Sequence, residues 1–204
     1  MNKRGLLLVI SGPSGVGKGT VLAEYRKNAP NLCMSVSATT RSPRPGEKHG
    51  REYYFITREQ FVKAAKSGEM LEYAEYSGNF YGTPLRAVYE KLDEGYDVVL
   101  EIELQGALQI KEKCPEAVSI FILPPSYEEL EQRLLGRKTE SREVVERRMS
   151  AAKNELLAAS DYDYVIVNDD VKKAAEKLKN VIEGARCLSS QNREILKAIE
   201  ESIK

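Results

Sequence analysis

A glycine-rich turn near the N-terminus constrains the fold of this chain most strongly. Gly12, Gly17 and Lys18 have the spacing G-x-x-x-x-G-K, between an apolar run at residues 6–10 and a segment, 20–27, with apolar residues at helical spacing. In a strand, turn and helix of this kind, backbone N–H groups, the lysine and the positive helix end face phosphate oxygens. A plain glycine-rich turn is the alternative, and the flanking strand and helix disfavour it. The candidate phosphate-binding residues are Gly12, Pro13, Ser14, Gly15, Val16, Gly17, Lys18, Gly19 and Thr20.

One position of this turn departs from the usual pattern. Gly19 stands where a Ser or Thr hydroxyl would normally reach Mg²⁺. We therefore expect the metal to be held mainly by nucleotide phosphates and water. Glu101 is an acidic candidate for the metal or its water shell, and Glu103 follows it closely. The alternative is that these carboxylates are simply solvated.

Three further apolar runs, at residues 98–102, 118–123 and 164–167, predict buried strands separated by helical segments. Residues 171–204 show helical spacing and predict one or two further helices. Strands that alternate with helices predict an α/β fold with a central parallel sheet and right-handed crossovers. Ligands of such folds bind at the carboxyl ends of the strands, where the glycine-rich turn lies.

Two regions depart from this alternation. Residues 35–83 are rich in Tyr, Ser, Thr and Gly, and predict a small, largely β insertion. Residues 126–159 are highly charged and mostly helical, with a break near 136–141, and predict a mobile helical flap. We expect one domain, 1–204, whose core comprises residues 1–34, 84–125 and 160–204.

The charge balance narrows the class of partner. The chain has 31 Lys plus Arg and 31 Asp plus Glu, so no net field favours DNA, RNA or an acidic membrane. No segment approaches the roughly 20 apolar residues that cross a bilayer, and the N-terminal apolar run is too short for a signal peptide. We expect a cytoplasmic protein with small-molecule partners, no nucleic acid and no membrane, as a monomer or small homo-oligomer.

A basic segment, SVSATTRSPRPGEKHGR, opens the β insertion at residues 35–51. Taken alone, a cluster of this size is typical of a solvated surface loop. Tyr53 and Tyr81 follow it, and the combination also suits a phosphate monoester, because Arg offers bidentate donors and Tyr a directional hydroxyl. The basic residues are Arg41, Arg44, Lys48 and Arg51.

At this point a resemblance becomes visible. The chain carries GPSGVGKGT, SVSATTRSPRPGE, SGNFYGT, LEIELQG, GRKTES and VIVND in this order, and over residues 6–169 it resembles guanylate kinases. The resemblance implies a P-loop kinase fold with a GMP-binding region at 35–83 and a lid at 126–159. It also implies transfer of the γ-phosphoryl group of ATP to GMP, giving ADP and GDP, with Mg²⁺ as the metal.

The resemblance further implies roles for individual residues. Lys18, Arg41, Arg137 and Arg148 are the candidate catalytic residues, because positive groups neutralise the charge of a transferring phosphoryl group. Arg137 and Arg148 would belong to the lid over ATP, and Asn168 would lie near adenine. The candidate GMP-binding residues are Ser37, Arg41, Arg44, Tyr53, Glu72, Tyr81, Thr83, Glu101 and Glu103. Of these, Glu101 and Glu103 stand where the family usually has aspartates.

Glu72 carries the expected base selectivity. A carboxylate can accept from both the N1–H and the exocyclic amine of guanine, and adenine lacks that pair of donors. Without the resemblance, Glu72 beside Tyr73 and Glu75 would be a surface charge.

Two other functions stay open. Guanylate-kinase-like domains of scaffold proteins bind phosphorylated peptides without catalysis, although such a module has no need for Lys18 or lid arginines. The acceptor could instead be another nucleoside monophosphate or a phosphorylated sugar, against which Glu72 and Thr83 argue.

Overall fold

The apolar runs of the sequence form strands of an α/β fold. The computed structural model describes residues 4–76, 78–136 and 142–203. The strands are β1 (Leu7–Ser11), β2 (Leu32–Met34), β3 (Ser37–Thr39), β4 (Tyr53–Phe55), β5 (Met70–Tyr76), β6 (Asn79–Pro84), β7 (Asp97–Glu101), β8 (Val118–Leu123) and β9 (Tyr164–Val167). The helices are α1 (Lys18–Arg26), α2 (Arg58–Lys66), α3 (Leu85–Asp93), α4 (Leu104–Lys113), α5 (Tyr127–Leu135), α6 (Arg142–Leu157), α7 (Val171–Ala185) and α8 (Arg193–Ile203).

Contacts within the chain divide it into two compact units. The first unit comprises the chain up to Ser11 and from Asn31 to Ser119. The second comprises Gly12–Pro30 and the chain from Ile120 onward. β1 therefore belongs to the first unit, and the glycine-rich turn that follows it belongs to the second.

Three strands of the first unit form a parallel array in the order β2, β7, β1. Leu8, Ile10, Val99 and Leu100 are fully buried, as expected of strands covered on both faces. β1 and β7 lie within one residue of the predicted runs 6–10 and 98–102, which are thereby confirmed. β2 escapes detection in the sequence, because three residues give too short a pattern.

The first unit also holds a four-stranded mixed sheet of order β4, β3, β6, β5. β3 runs parallel to β4 and antiparallel to β6, and β5 and β6 form an antiparallel pair. This sheet is the β-rich insertion that the sequence predicts. The segment also contains α2, which begins with a capping box between Thr57 and Gln60. That box is readable as T-x-x-Q, so the helix could have been predicted.

β8 and β9 have the predicted bounds, and they pair in parallel through residues 120–123 and 164–167, which belong to the second unit. α1 packs against α7, and the two helices bury Val21, Leu22, Leu178 and Ile182. α7 is followed by a 3₁₀ turn and α8, so the segment for which the sequence predicts one or two helices contains two.

The charged segment forms α5 and α6, as the helical prediction requires. Ser126 caps α5 by accepting from Glu129 N at 3.1 Å. Tyr127 Oη donates to Met149 O at 3.0 Å and ties α5 to α6. The predicted break near 136–141 lies, from residue 137, outside the described residues.

No helix in the described part of the chain has the length and apolar character to cross a membrane.

Candidate functional site

The glycine-rich turn leads from β1 into the first turn of α1. Gly17 precedes the helix with φ 93°, and no side chain caps it. No acidic residue lies in the first turn of α1. A helix start with neither a side-chain cap nor an acidic side chain is suited to an anion, which interacts favourably with the N–H groups and the dipole.

The side chain of Lys18 turns back over this loop. Its Nζ donates to Gly12 O at 2.6 Å and to Pro13 O at 3.4 Å. The ammonium group therefore lies at the loop that the sequence predicts to hold phosphates. Of the other predicted loop residues, Pro13 and Val16 are buried, and Ser14, Gly19 and Thr20 are exposed.

Two side chains fix the loop from behind. Asn168 is buried, and its Nδ2 donates to Val16 O at 2.8 Å. Arg133 donates from Nη1 to Val16 O at 3.3 Å and from Nη2 to Asn168 O at 3.1 Å. Sequence reasoning finds Asn168 through the resemblance but misses Arg133, which no local pattern distinguishes from its neighbouring arginines. These bonds make Arg133 and Asn168 supports of the phosphate loop.

Glu72 and Thr83 form a buried polar pair between β5 and β6. The two residues are directly paired in the ladder, and Thr83 Oγ1 donates to Glu72 Oε1 at 2.6 Å. Glu72 is only 4% exposed. Desolvation raises the pKa of its carboxyl, while the Thr83 hydrogen bonds and the charge of Lys113 act in the opposite sense. A desolvated carboxylate of this kind is a strong acceptor for a ligand's N–H groups.

Side chains that are predicted to bind the phosphate of GMP lie around Arg41. Its guanidinium lies over the ring of Tyr53, 5.4 Å from the centroid, and Tyr81 is among the groups that raise the pKa of Arg41. The rings of Tyr53 and Tyr81 are 6.0 Å apart, edge to face. Ser37 pairs with Tyr53 in the β3–β4 ladder, and Tyr81 lies on β6, so these three predicted residues share one sheet. Burial raises the pKa of Tyr53 and keeps its hydroxyl protonated as a donor.

Glu47 completes this cluster and was not among the predicted residues. Its two carboxylate oxygens accept from Arg41 Nη1 and Nη2, each at 3.0 Å, and Oε2 also accepts from Arg44 N at 2.7 Å. Hydrogen bonds from Arg41 are the main cause that lowers the pKa of Glu47, and those to Glu47 are the main cause that raises the pKa of Arg41. Arg44 itself is exposed.

The acidic candidates lie at the end of β7. Glu101 is its last residue, pairs with Ile10 of β1 and is exposed. Glu103 is exposed and precedes α4 without capping it through its side chain. Within the described ranges, no cluster of three or more His, Cys, Asp or Glu side chains could hold a metal.

Of the predicted lid arginines, Arg148 lies on α6 and is half-buried. Arg137 lies outside the described residues.

Comparison with known proteins is consistent with this arrangement. A sequence model of the guanylate kinase family matches residues 4–185. A guanylate kinase of Lactococcus lactis is 57% identical over 183 residues, covering 90% of this chain and 89% of the relative. One from Streptococcus pneumoniae is 57% identical over 184 residues, covering 90% and 88%.

A solved structure agrees over an even larger share of the chain. The crystal structure of guanylate kinase from Anaplasma phagocytophilum superposes with a TM-score of 0.75 at 38% identity, covering 96% of this chain and 95% of that one. Sequence and backbone thus give the same answer over nearly the whole length, and the chain belongs to the guanylate kinase family.

Proposed function

We propose that this protein transfers the γ-phosphoryl group of ATP to GMP, reversibly forming ADP and GDP, and so serves purine nucleotide metabolism and GMP recycling. The observation that carries the proposal is the buried Glu72–Thr83 pair in the same sheet as Tyr53 and Tyr81, with Arg41 in the loop that follows β3. A buried pair that could recognise a base, close in the fold to a cluster that could bind phosphate, is suited to a purine monophosphate.

In this proposal, two groups of residues bind GMP, one at the base and one at the phosphate. Glu72 would accept from the N1–H and the exocyclic amine of guanine, with Thr83 and Ser37 beside the base. Arg41, Arg44, Tyr53 and Tyr81 would donate to the phosphate of GMP. Because that phosphate carries about −1.5 to −2 charge near neutral pH, the acceptor needs no general base.

The donor side rests on the loop from Gly12 to Thr20. Its backbone N–H groups and Lys18 would hold the β- and γ-phosphates of ATP, with Asn168 near the adenine. Arg137 and Arg148 would close over the γ-phosphate and neutralise the charge that spreads over its oxygens. Excluding water by such closure favours transfer to GMP over hydrolysis of ATP.

We propose Mg²⁺ as the divalent ion of the reaction. Mg²⁺ commonly keeps several waters and takes only one or two carboxylates together with substrate phosphates. The residues are compatible with such coordination, because Gly19 brings no hydroxyl and Glu101 is exposed, so that its carboxylate would be available to the water shell of the ion. When bound, the ion would neutralise the phosphates of ATP. Glu103 would lie beside Glu101 on the GMP side.

A coupled assay for ADP formation tests the proposal. Protein, ATP and Mg²⁺ are combined separately with GMP, AMP, CMP and UMP, and we expect a strong preference for GMP. Equal turnover of several monophosphates would refute the role of Glu72 as the base reader. Folded protein that binds GMP but forms no ADP would instead favour a phosphate-binding module.

The assembly and location of the protein are also proposals. We propose a monomer or small homo-oligomer in the cytoplasm, where ATP and GMP are available. Light scattering coupled to size-exclusion chromatography measures the assembly.

A further inference from the structure

Helix α4 presents a glycine to the carboxylate of Glu72. A Cβ atom on Gly106 would lie 2.5 Å from Glu72 Oε2 and 3.2 Å from Glu72 Cδ. Gly106 is buried in the first turn of α4, and its φ is not in the left-handed region. Its backbone therefore does not require glycine, and glycine is a poor helix former. Glycine is needed at this position for a steric reason, because the Glu72 carboxylate occupies the space that a side chain would fill.

Two other residues on the same face of α4 form hydrogen bonds to β5, the strand that carries Glu72. Gln109 donates from Nε2 to Tyr73 O at 2.7 Å and accepts from Tyr73 N at 3.2 Å. Lys113 Nζ donates to Leu71 O at 2.9 Å. Gly106, Gln109 and Lys113 are spaced i, i+3 and i+7, so they lie along one side of the helix.

The strand needs this support because of its position. β5 is the edge strand of its sheet, and its register shifts between Met70 and Glu72. A bulge at an edge leaves backbone groups without strand partners. The bonds from Gln109 and Lys113 satisfy such groups on either side of Glu72 and hold α4 at a fixed distance from it.

We propose that Gly106 is a specificity-determining residue for the monophosphate acceptor. By lacking a side chain, it lets α4 lie against β5 while the Glu72 carboxylate keeps the orientation that Thr83 fixes. This inference rests on the proposed function, since it concerns how the same pocket recognises guanine.

A methyl group at position 106 has two ways to gain room. Moving α4 would break the three hydrogen bonds from Gln109 and Lys113, whereas turning the carboxylate breaks one bond, from Thr83. Turning the carboxylate is the easier response, and it misdirects the group that reads the base. Tyr53 lies on β4 and Arg41 lies in the loop that follows β3, whereas α4 packs mainly against β5 in this sheet, so the phosphate-binding cluster should be unaffected.

The test compares Gly106→Ala with Gly184→Ala as the matched control. Gly184 is also helical, and an added Cβ there meets nothing within 4 Å. For each variant, kcat/KM is measured with GMP and with inosine 5′-monophosphate, whose base keeps N1–H and lacks the exocyclic amine. We expect Gly106→Ala to lower the GMP preference by about tenfold, the factor for one hydrogen bond to a charged group, with KM for ATP unchanged. Gly184→Ala should keep the wild-type preference.

A double-mutant cycle tests whether the effect passes through Glu72. In the Glu72→Gln background the charged acceptor is already absent, so adding Gly106→Ala should cause no further loss of GMP preference. An additional loss there, or a wild-type preference in Gly106→Ala, would overturn the inference. Wild-type protein without GMP turnover would instead overturn the proposed function itself.

A second variant covers the case in which Gly106→Ala does not fold. In Gly106→Ala/Glu72→Asp the carboxylate is withdrawn by one methylene, which restores room for the methyl group. Recovery of the wild-type unfolding temperature supports a steric conflict with Glu72. A double variant as unstable as the single one would refute it.

Discussion

Gly17→Ala should destabilise the protein strongly, whereas the same change two residues later should not. Gly17 has φ 93°, and an added Cβ would lie 2.7 Å from Asn168 Nδ2. Gly19 has no positive φ, and an added Cβ meets nothing within 4 Å. The two glycines of the phosphate loop therefore form a matched pair.

The expected magnitudes follow from these geometries. An L-residue in the left-handed region costs about 1–2 kcal/mol. Displacing the Asn168 amide from Val16 O removes a buried hydrogen bond, which costs about 1 kcal/mol more. Together, these two contributions should lower the free energy of unfolding of Gly17→Ala by about 2–3 kcal/mol. Gly19→Ala lies in the first turn of α1 and should instead stabilise by about 0.4–1 kcal/mol, because alanine restricts the unfolded chain.

Thermal unfolding followed by circular dichroism measures the difference. For a chain of this size, we expect Gly17→Ala to lower Tm by about 4–12 °C, given about 2–4 °C per kcal/mol. Gly19→Ala should leave Tm equal or slightly raised. If the two variants unfold at the same temperature, the argument that Gly17 is constrained by its conformation and by Asn168 is wrong.

Three other substitutions probe the site. Glu72→Gln should raise KM for GMP about tenfold, through loss of a charged acceptor. The same substitution should also raise Tm at pH 7. A raised pKa means that Glu72 contributes stability below pH 4.5 that is lost as the pH rises and the buried carboxyl ionises, and Gln stays uncharged at every pH. An unchanged Tm would contradict this reasoning. Glu47→Gln should lower Tm at pH 7, and this loss should shrink as the pH falls below the ordinary glutamate pKa of 4.5, because a lowered pKa contributes stability that is lost as the pH falls through it. A loss that stays constant on acidification would disprove the pairing with Arg41. Arg133→Met should raise KM for ATP about tenfold with KM for GMP unchanged, because Val16 O loses a charged donor; steady-state kinetics with each substrate varied would expose the opposite pattern.

Much of the fold is readable from short stretches of sequence. β8 and β9 have the predicted bounds because continuous apolar runs between polar ends admit few other interpretations. β2 is not readable, since only one of its three residues is buried. α2 shows the reverse case, in which a local signal, the capping box at Thr57, stands inside a region whose composition indicates strands.

The site is less readable, because its contacts join distant parts of the chain. Glu72 and Thr83 meet only through the β5–β6 pairing, whose register shifts next to Glu72. Arg133 reaches Val16 across 117 residues of sequence, and nothing near either residue indicates the contact. Gly106 has no side chain to suggest a role, and only the structure shows that a Cβ atom there would collide with the Glu72 carboxylate. The resemblance supplies the residues that would touch a substrate, but among those that hold them in place it supplies Asn168 and omits Arg133 and Glu47.

Glu72 and Glu47 show how one residue type can have opposite electrostatic surroundings within the first unit. Both lie in the first unit, and their surroundings move their pKa values in opposite directions. In the proposed role of Glu72, burial would make its carboxylate a selective acceptor, since a base that leaves it unpaired would incur the full cost of desolvation. Glu47 is held ionised by Arg41, so its bonds to the guanidinium persist at pH values where Glu72 begins to take up a proton. On acidification, base recognition should therefore fail while the arginine pair is still intact, which makes guanine selectivity the more acid-sensitive of the two properties.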